Sequence, residues 1–446
     1  MDNKTREDVL RGILDIPLFK CELRQRGVAS AIIYEGPGFL SQTADKSLLL
    51  RIFSNGVSEK ESFARLCGPA RVAAGSLIPD TEYYDFRGYD QNGVLWVAEQ
   101  LSLDVGFGEG SYITAQVNQI SRTKSFGLVA EGSSATAVVP GKFELPWHIP
   151  TVTERSTVLD RFEGASQDSA WRIRRNEHGL EVHFTVAQGP IDRPYRRFLF
   201  ALELLTGTAM DVPVTEFVER GHLITQVRSP RNVSRTKQLQ PPMRMTMPYA
   251  GGAHSFIARF LDGLEEKNPT DQDHTGTIYW IWHRVSEAYQ SDLENSALVL
   301  SVAIESLLKV AFKSEADDDE EFHAEIAHAK SALENANFMP RALKRIAASL
   351  ANATNPGPKQ VLRRLKEQGF INDTHVAAWE KMRNKSAHGD GVDDSHAEIQ
   401  KLLSARYHCL GLFYCLVFVL IGYRGVYSDL TQQNWPDAAF DGSNSQ

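Results

Sequence analysis

Residues 379–390 read Trp379-Glu380-Lys381-Met382-Arg383-Asn384-Lys385-Ser386-Ala387-His388-Gly389-Asp390. They form the last turns of a helix that stops at a glycine. Ala377, Ala378, Met382 and the aliphatic stem of Lys381 give an apolar side, and Gly389 is the residue expected just past a helix C-terminus. Asn384 and His388 are four apart and share a face, while Arg383, on a longer stem, reaches the same edge. A guanidinium, a carboxamide and an imidazole that titrates near neutrality, gathered at a helix end, suit work on a phosphodiester. The same residues also fit a plainer arrangement, in which Arg383 pairs with a nearby acid and His388 favours the negative end of the helix dipole.

Working outward, the chain is helical from about residue 270. Thr277–Tyr289 is apolar on one side, and Ser291 is positioned to cap the next helix, Asn295–Phe312, which is apolar around most of its circumference. Within it, Glu305 lies among Val302, Ala303, Ile304, Leu307 and Leu308. A glutamate there either faces solvent on a narrow polar stripe or answers an arginine. The acidic run Glu315–Glu321 has no metal-ligand spacing and precedes a helix N-terminus that favours negative charge. His323 and His328 are five apart and read as surface residues. Pro340–Leu350 and Val361–Gln368 are short amphipathic helices with basic faces. The helix ending at His388 follows, and then a long one from about Ser395 to Tyr423. Its apolar run Cys409–Tyr423 falls short of the roughly 18 residues of a membrane span and reads as a buried or dimer-facing core helix. The tail, 429–446, is polar and expected to be loose.

The N-terminal part alternates with period two. Ala29–Tyr34, Ser47–Phe53, Val94–Ala98 and Ser111–Val117 are expected strands, punctuated at Gly36-Pro37-Gly38 and at the hairpin signal Gln91-Asn92-Gly93. Gly106–Gly110 lacks the lysine and the strand–loop–helix order of a phosphate loop and reads as a turn. Ala170–Arg175 and Leu180–Ala187 are the arms of a hairpin, Pro194–Leu205 is a helix with proline in its first turn, and His222–Arg228 is a strand. Arg228, Arg231, Arg235, Lys237 and Arg244 then accompany four prolines. That stretch reads as a linker rather than a phosphate-contacting loop, since no aromatic residue interleaves among the first four charges. The expected organisation is α+β: a β-rich domain over 1–150, a second α/β subdomain with a basic linker over 151–265, a helical bundle over 270–428 and the tail.

Over 446 residues the composition is that of an ordinary soluble protein, 42% hydrophobic and 23% charged. The net charge of −8 excludes a chain-wide nucleic-acid coat, so any RNA contact must be local. Four cysteines, Cys21, Cys67, Cys409 and Cys415, form no CxxC pair and point to reduced thiols in the cytoplasm. The charged N-terminus has no apolar region behind it, so no signal peptide is expected.

The C-terminal order (a long apolar helix carrying Ala303-Ile304-Glu305-Ser306-Leu307-Leu308-Lys309, shorter basic helices, the Arg383 helix and a final apolar helix) resembles the HEPN superfamily. Its signature is an arginine, commonly followed by a polar residue, then a histidine after four to six residues. Arg383, Asn384 and His388 match it over roughly the last 170 residues of the chain. Glu305 stands where many relatives keep an acid. The whole layout is similar to the abortive-infection, anti-phage HEPN proteins of bacteria (ApeA-like), although no sharp N-terminal motif supports that second step.

The resemblance implies a metal-independent endoribonuclease acting on RNA, with tRNA as a candidate, and no cofactor. His388 would handle the proton of the 2′-hydroxyl or of the leaving 5′-oxygen, and Arg383 would steady charge on the phosphate. Asn384 would orient His388 or bond the phosphate, and Glu305 would fix the guanidinium. One motif supplies one histidine, so a homodimer facing two motifs together is expected, with the apolar final helix suited to the interface. The N-terminal region would be the sensor, released by a phage-derived trigger. Two other readings stay open: a non-catalytic HEPN binding module, and a β-protein that recognises a ligand through Trp96, Trp147 and Trp171.

Overall fold

The computed structural model describes residues 3–54, 76–105, 112–126, 132–152, 156–230, 238–266, 274–312, 320–334, 339–353, 357–388 and 395–441. The chain divides into two compact units. The first comprises Met1–Phe143, Trp147–Arg196 and Met210–Val233; the second comprises Glu144–Pro146, Arg197–Ala209 and Ser234–Gln446. The architecture is α+β with a β-rich N-terminal part, as the patterning predicts.

In the first unit, helix α1 (Asn3–Arg11) precedes β1 (Asp15–Gln25), β2 (Ile33–Gln42), β3 (Leu48–Phe53), β4 (Tyr84–Asp90), β5 (Leu95–Leu101), β6 (Leu103–Val105), β7 (Tyr112–Val117) and β8 (Gln119–Ser125). There follow β9 (Ser133–Pro140), β10 (Ile149–Val152), β11 (Thr157–Ala165), β12 (Ser169–Asn176), β13 (Gly179–Val186), helix α2 (Asp192–Thr206), β14 (Val214–Glu219) and β15 (His222–Arg228). All fifteen strands join one sheet in the order β10-β11-β12-β13-β9-β14-β15-β8-β5-β4-β1-β2-β3-β7-β6. The expected boundary at 150/151 therefore falls inside β10, and strands from both sides of it share this sheet.

Period-two alternation decides which side chains enter the core. In β3, Leu48, Leu50 and Ile52 are buried with Ile113, Ala115 and Val117 of β7, while Arg51 and Phe53 face out. The Gln91-Asn92-Gly93 hairpin forms as expected. Gly93 takes φ +72°, and the Asp90 carboxylate accepts from the N–H of Asn92 (2.8 Å) and Val94 (3.0 Å) and from Trp96 Nε1 (3.1 Å). Residues 29–32 are not strand, and Gly36-Pro37-Gly38 is not a turn but lies within β2. A Cβ at Gly36 or Gly38 would collide with the carbonyl oxygens of Phe53 or Arg51. Pro37, which has no N–H to donate, sits where the β1–β2 register slips between Leu18 and Cys21.

Trp96, Trp147 and Trp171 are all buried, so they form no ligand platform. Arg122 and Arg175 stack on Trp96 and Trp147 at 5.1 and 4.9 Å. Gly106–Gly110, Cys67, Arg231, Arg235, Lys237 and the acidic residues 315–319 lie outside the described residues. At the ends of that basic stretch, Arg228 Nε donates to Gln119 (2.7 Å) and Arg244 pairs with Asp437 (3.3 Å), so both are already engaged.

The second unit holds the end of α2 with α3 (Ala250–Glu266), α4 (His274–Tyr289), α5 (Leu293–Ala311), α6 (Glu320–Glu334), α7 (Pro340–Ala353), α8 (Pro358–Glu367), α9 (Asp373–His388) and α10 (His396–Ile421). Asp292, not Ser291, caps α5, accepting from the Asn295 N–H at 2.6 Å. Ser291 Oγ instead donates to the Ala288 carbonyl.

From Cys409 to Ile421 every residue of α10 is buried. Trp282 stacks on Phe413, and Phe256 meets Phe418 edge-on at 6.0 Å. By length and composition α10 could cross a membrane, yet 78% of its apolar window is buried within the protein, as in a core helix. Its apolar residues are thus consumed inside the chain and are not free to form the dimer interface anticipated for them.

Gly422 ends α10 in the left-handed conformation (φ +65°). The tail then folds back as a hairpin of β16 (Gly425–Ser428) and β17 (Asp437–Phe440), with Phe440 buried against Phe418 at 5.1 Å. Tail residues through Phe440 are ordered, contrary to the loose end expected of them, and the C-terminal unit is not purely helical. The hairpin succeeds because the aromatic side chains Tyr427 and Phe440 complete the apolar end of α10.

Candidate functional site

Helix α9 begins with a reciprocal cap. Asn372 Oδ1 accepts from the His375 N–H (3.0 Å), and His375 Nδ1 accepts from the Asn372 N–H (3.3 Å). This is a capping box with histidine in place of glutamate or glutamine. His375, Ala378, Trp379 and Met382 recur at helical spacing and form the buried face. Trp379 fixes the helix against α5, where its Nε1 donates to the Ser301 carbonyl at 3.1 Å.

Arg383 comes one turn after Trp379, and its guanidinium carbon lies 5.6 Å from the Trp379 ring centroid. Its Nε donates to Glu305 Oε2 at 2.9 Å, while Lys309 Nζ, one turn along α5, donates to Glu305 Oε1 at 2.6 Å. Glu305 therefore sits between two cations, and the Lys309 hydrogen bond, then Arg383, holds its carboxyl below the ordinary range. Two positive groups and one negative leave this corner with a net positive charge.

Arg383 remains accessible, with 43% of its side chain exposed. Its Nε is occupied by Glu305, while neither Nη has a hydrogen-bond partner among the described residues. A guanidinium steadied on one edge by a carboxylate and on its face by an indole, with two N–H-bearing nitrogens left over, can grip a phosphate without first having to be ordered. Asn384 is exposed beside it. His388 lies on α9, one turn beyond Asn384; its side chain and Gly389 lie outside the described residues.

Of the four residues singled out, then, Arg383 and Glu305 meet directly and Asn384 adjoins Arg383 in the chain. The alternatives posed for Glu305 combine: it lies on a mostly buried edge, its side chain 20% exposed, and answers an arginine there. Lys309 and Trp379 were missed. Their signal was the helical spacing, since Glu305/Lys309 and Trp379/Arg383 are both four apart. Among the described residues no group of His, Cys, Asp and Glu could hold a metal ion. Cys21, Cys409 and Cys415 are free and buried, and burial pushes their thiols upward, Cys21 to about 12, which leaves them protonated and unreactive.

In comparisons with known proteins, no family model matches the chain, no curated protein matches it, and no solved structure matches it.

Proposed function

We propose that the chain is a HEPN-type endoribonuclease that cuts RNA without a metal ion. The observation that carries this reading is Arg383: half exposed, held by Glu305 and Trp379, with both Nη nitrogens unpartnered among the described residues, on the helix that also bears Asn384 and His388. RNA supplies its own nucleophile. The 2′-oxygen attacks phosphorus, the bond from phosphorus to the 5′-oxygen breaks, and the products are a 2′,3′-cyclic phosphate and a 5′-hydroxyl. His388 takes the 2′-hydroxyl proton or delivers one to the leaving oxygen. Arg383 balances charge on the non-bridging oxygens, and Asn384 orients either group. Glu305 acts through Arg383 and is a positioning residue.

One imidazole serves both proton transfers poorly, so the working species is a homodimer. Among the exposed apolar residues of the bundle, Leu298 and Val302 of α5, 40% and 53% exposed, lead into Glu305 on the same side of the helix and are assigned to its interface. The β-rich unit acts as a sensor that keeps the nuclease quiet until a phage-derived trigger arrives, in keeping with abortive infection in a bacterial cytoplasm.

A second reading has its own support. The Glu305–Arg383 pair is what a purely structural arginine would also show, and the bundle would then be a binding module. One assay separates the two. Incubated with total RNA or tRNA in EDTA, the full chain should produce discrete fragments, and Arg383→Ala and His388→Ala should each lower the rate by about 100-fold or more. Equal RNA degradation by all three proteins, or none by any, would leave the binding module as the answer.

A further inference from the structure

The N-terminal unit carries a cleft that the chemistry of the bundle does not use. It has a volume of about 540 Å³, within the range of small-ligand sites. Its floor is the solvent face of β2 and β3, where the register sets Phe39 opposite Arg51 and Ser41 opposite Asp15. Its walls are the connection from α1 to β1 at Gly12–Leu14 and the β2–β3 turn at Gln42–Ala44.

Those walls are built in advance. Gln42 N–H donates to the Leu14 carbonyl (2.9 Å), and the Gln42 side chain accepts from the Leu14 N–H (3.1 Å) while donating to the Val9 carbonyl (3.3 Å). Lys46 Nζ reaches across to the Leu10 carbonyl at the end of α1 (2.9 Å). The N–H groups of Gly12, Ile13 and Thr43 are also taken, by Val9, Asp8 and Ser47 carbonyls. With these backbone donors satisfied, recognition falls to side chains.

The side chains on the floor are unsaturated. No carboxylate pairs with Arg51 among the described residues, and its guanidinium rests on the Tyr112 ring at 5.5 Å. Phe39 is 43% exposed and lines the cleft, with its ring set perpendicular to that of Phe53 at 6.2 Å. Among the described residues Asp15 carries no ion pair either. Thus the Arg51 cation, the Asp15 carboxylate, the Ser41 hydroxyl and the Phe39 ring converge on one cleft. A simple anion would leave Phe39 without a partner and would be repelled by Asp15. A polyanion such as a long single strand would need more cations than Arg51 alone.

We propose that this cleft binds a nucleotide. The base stacks on Phe39, its amino or ring N–H groups donate to Asp15 and Ser41, and the phosphate is held by Arg51, steadied by Tyr112. This assignment is independent of whether the bundle cuts RNA, and it gives the β-rich unit a ligand of its own.

The test is calorimetric titration of the full chain with AMP, GMP, CMP and UMP, with the matching nucleosides, with inorganic phosphate and with an aromatic dipeptide. At least one nucleotide should bind at a single site. Arg51→Ala should weaken it roughly tenfold or more while leaving the matching nucleoside unchanged. Phe39→Ala should weaken both, and Arg51→Lys should retain most of the nucleotide affinity. Both side chains face solvent, so thermal melts of the variants should match the parent and exclude misfolding. Failure of all four nucleotides to bind at millimolar concentration would overturn the assignment. So would nucleotide binding unchanged in Arg51→Ala and Phe39→Ala, phosphate alone binding as well as the nucleotide, or the dipeptide displacing it on equal terms.

Discussion

His375 is buried at the start of α9, and desolvation there pushes its pKa from 6.5 down to about 4. The Asp429 carboxylate opposes that shift, and His408, whose own pKa burial also lowers, reinforces it. Because Nδ1 accepts from Asn372, the neutral ring carries its proton on Nε2, which has no hydrogen-bond partner among the described residues. The folded-state value lies below the unfolded one, so the unfolded chain binds more protons between pH 6.5 and 4. Stability is complete above pH 6.5 and is lost as the pH falls towards 4. From pH 7.5 to 5.0 this single residue should cost about 2 kcal/mol of folding stability. Urea melts at the two values should show that loss in the parent and little of it in His375→Gln, whose amide can still accept from Asn372. An identical pH response in both proteins would exclude His375 as the source.

At the scale of elements, the α5–α9 pair joins the site to the proposed dimer. Tryptophan to backbone and arginine to glutamate are two contacts that register the two helices, with Lys309 bracing the glutamate from within α5, and they leave Leu298 and Val302 outside. Both side chains are half exposed, so Leu298→Asp combined with Val302→Asp should change folding stability by less than about 1 kcal/mol. In sedimentation it should convert a dimer to a monomer and abolish RNA cleavage with it. A dimer that persists in the double variant would move the interface elsewhere.

Much of this level was legible in the sequence. The alternating strands β3, β5, β7, β12 and β13 and the long helices α5 and α10 follow their periodicity, because one buried face dictates each pattern. The Arg383–Glu305 meeting was foreseeable once both were placed on helices of one bundle. What could not be read depends on contacts distant in sequence. Gly36 and Gly38 look like a turn until the β3 carbonyls occupy the space their side chains would need. The short hairpin strands β16 and β17 have no periodicity of their own and form against α10. The apolar run in α10 shows that something must cover it, but not whether that is this chain or a second one.

The whole molecule is held as two units whose sequence boundaries interleave. Residues 197–209, which include the end of α2, belong with the bundle. There Phe200 meets Phe260 at 5.4 Å, and buried Glu203 bonds His283 Nε2 at 3.0 Å. A fragment beginning near residue 265 would leave those partners behind and expose His283 and the core around it, so activity has to be measured on the full chain.

Attack by the RNA's own 2′-hydroxyl at the proposed site of Arg383 and His388 can be read from a chimeric substrate. Once a cleavage position has been mapped, the same oligonucleotide is made with a single 2′-deoxy residue immediately 5′ of the scissile phosphate and incubated with the full chain in EDTA. The expected result is cleavage of the all-RNA strand to a 2′,3′-cyclic phosphate and a 5′-hydroxyl, none at the deoxy position, and none with His388→Ala. Cleavage at the deoxy position, or ends bearing a 5′-phosphate, would contradict it.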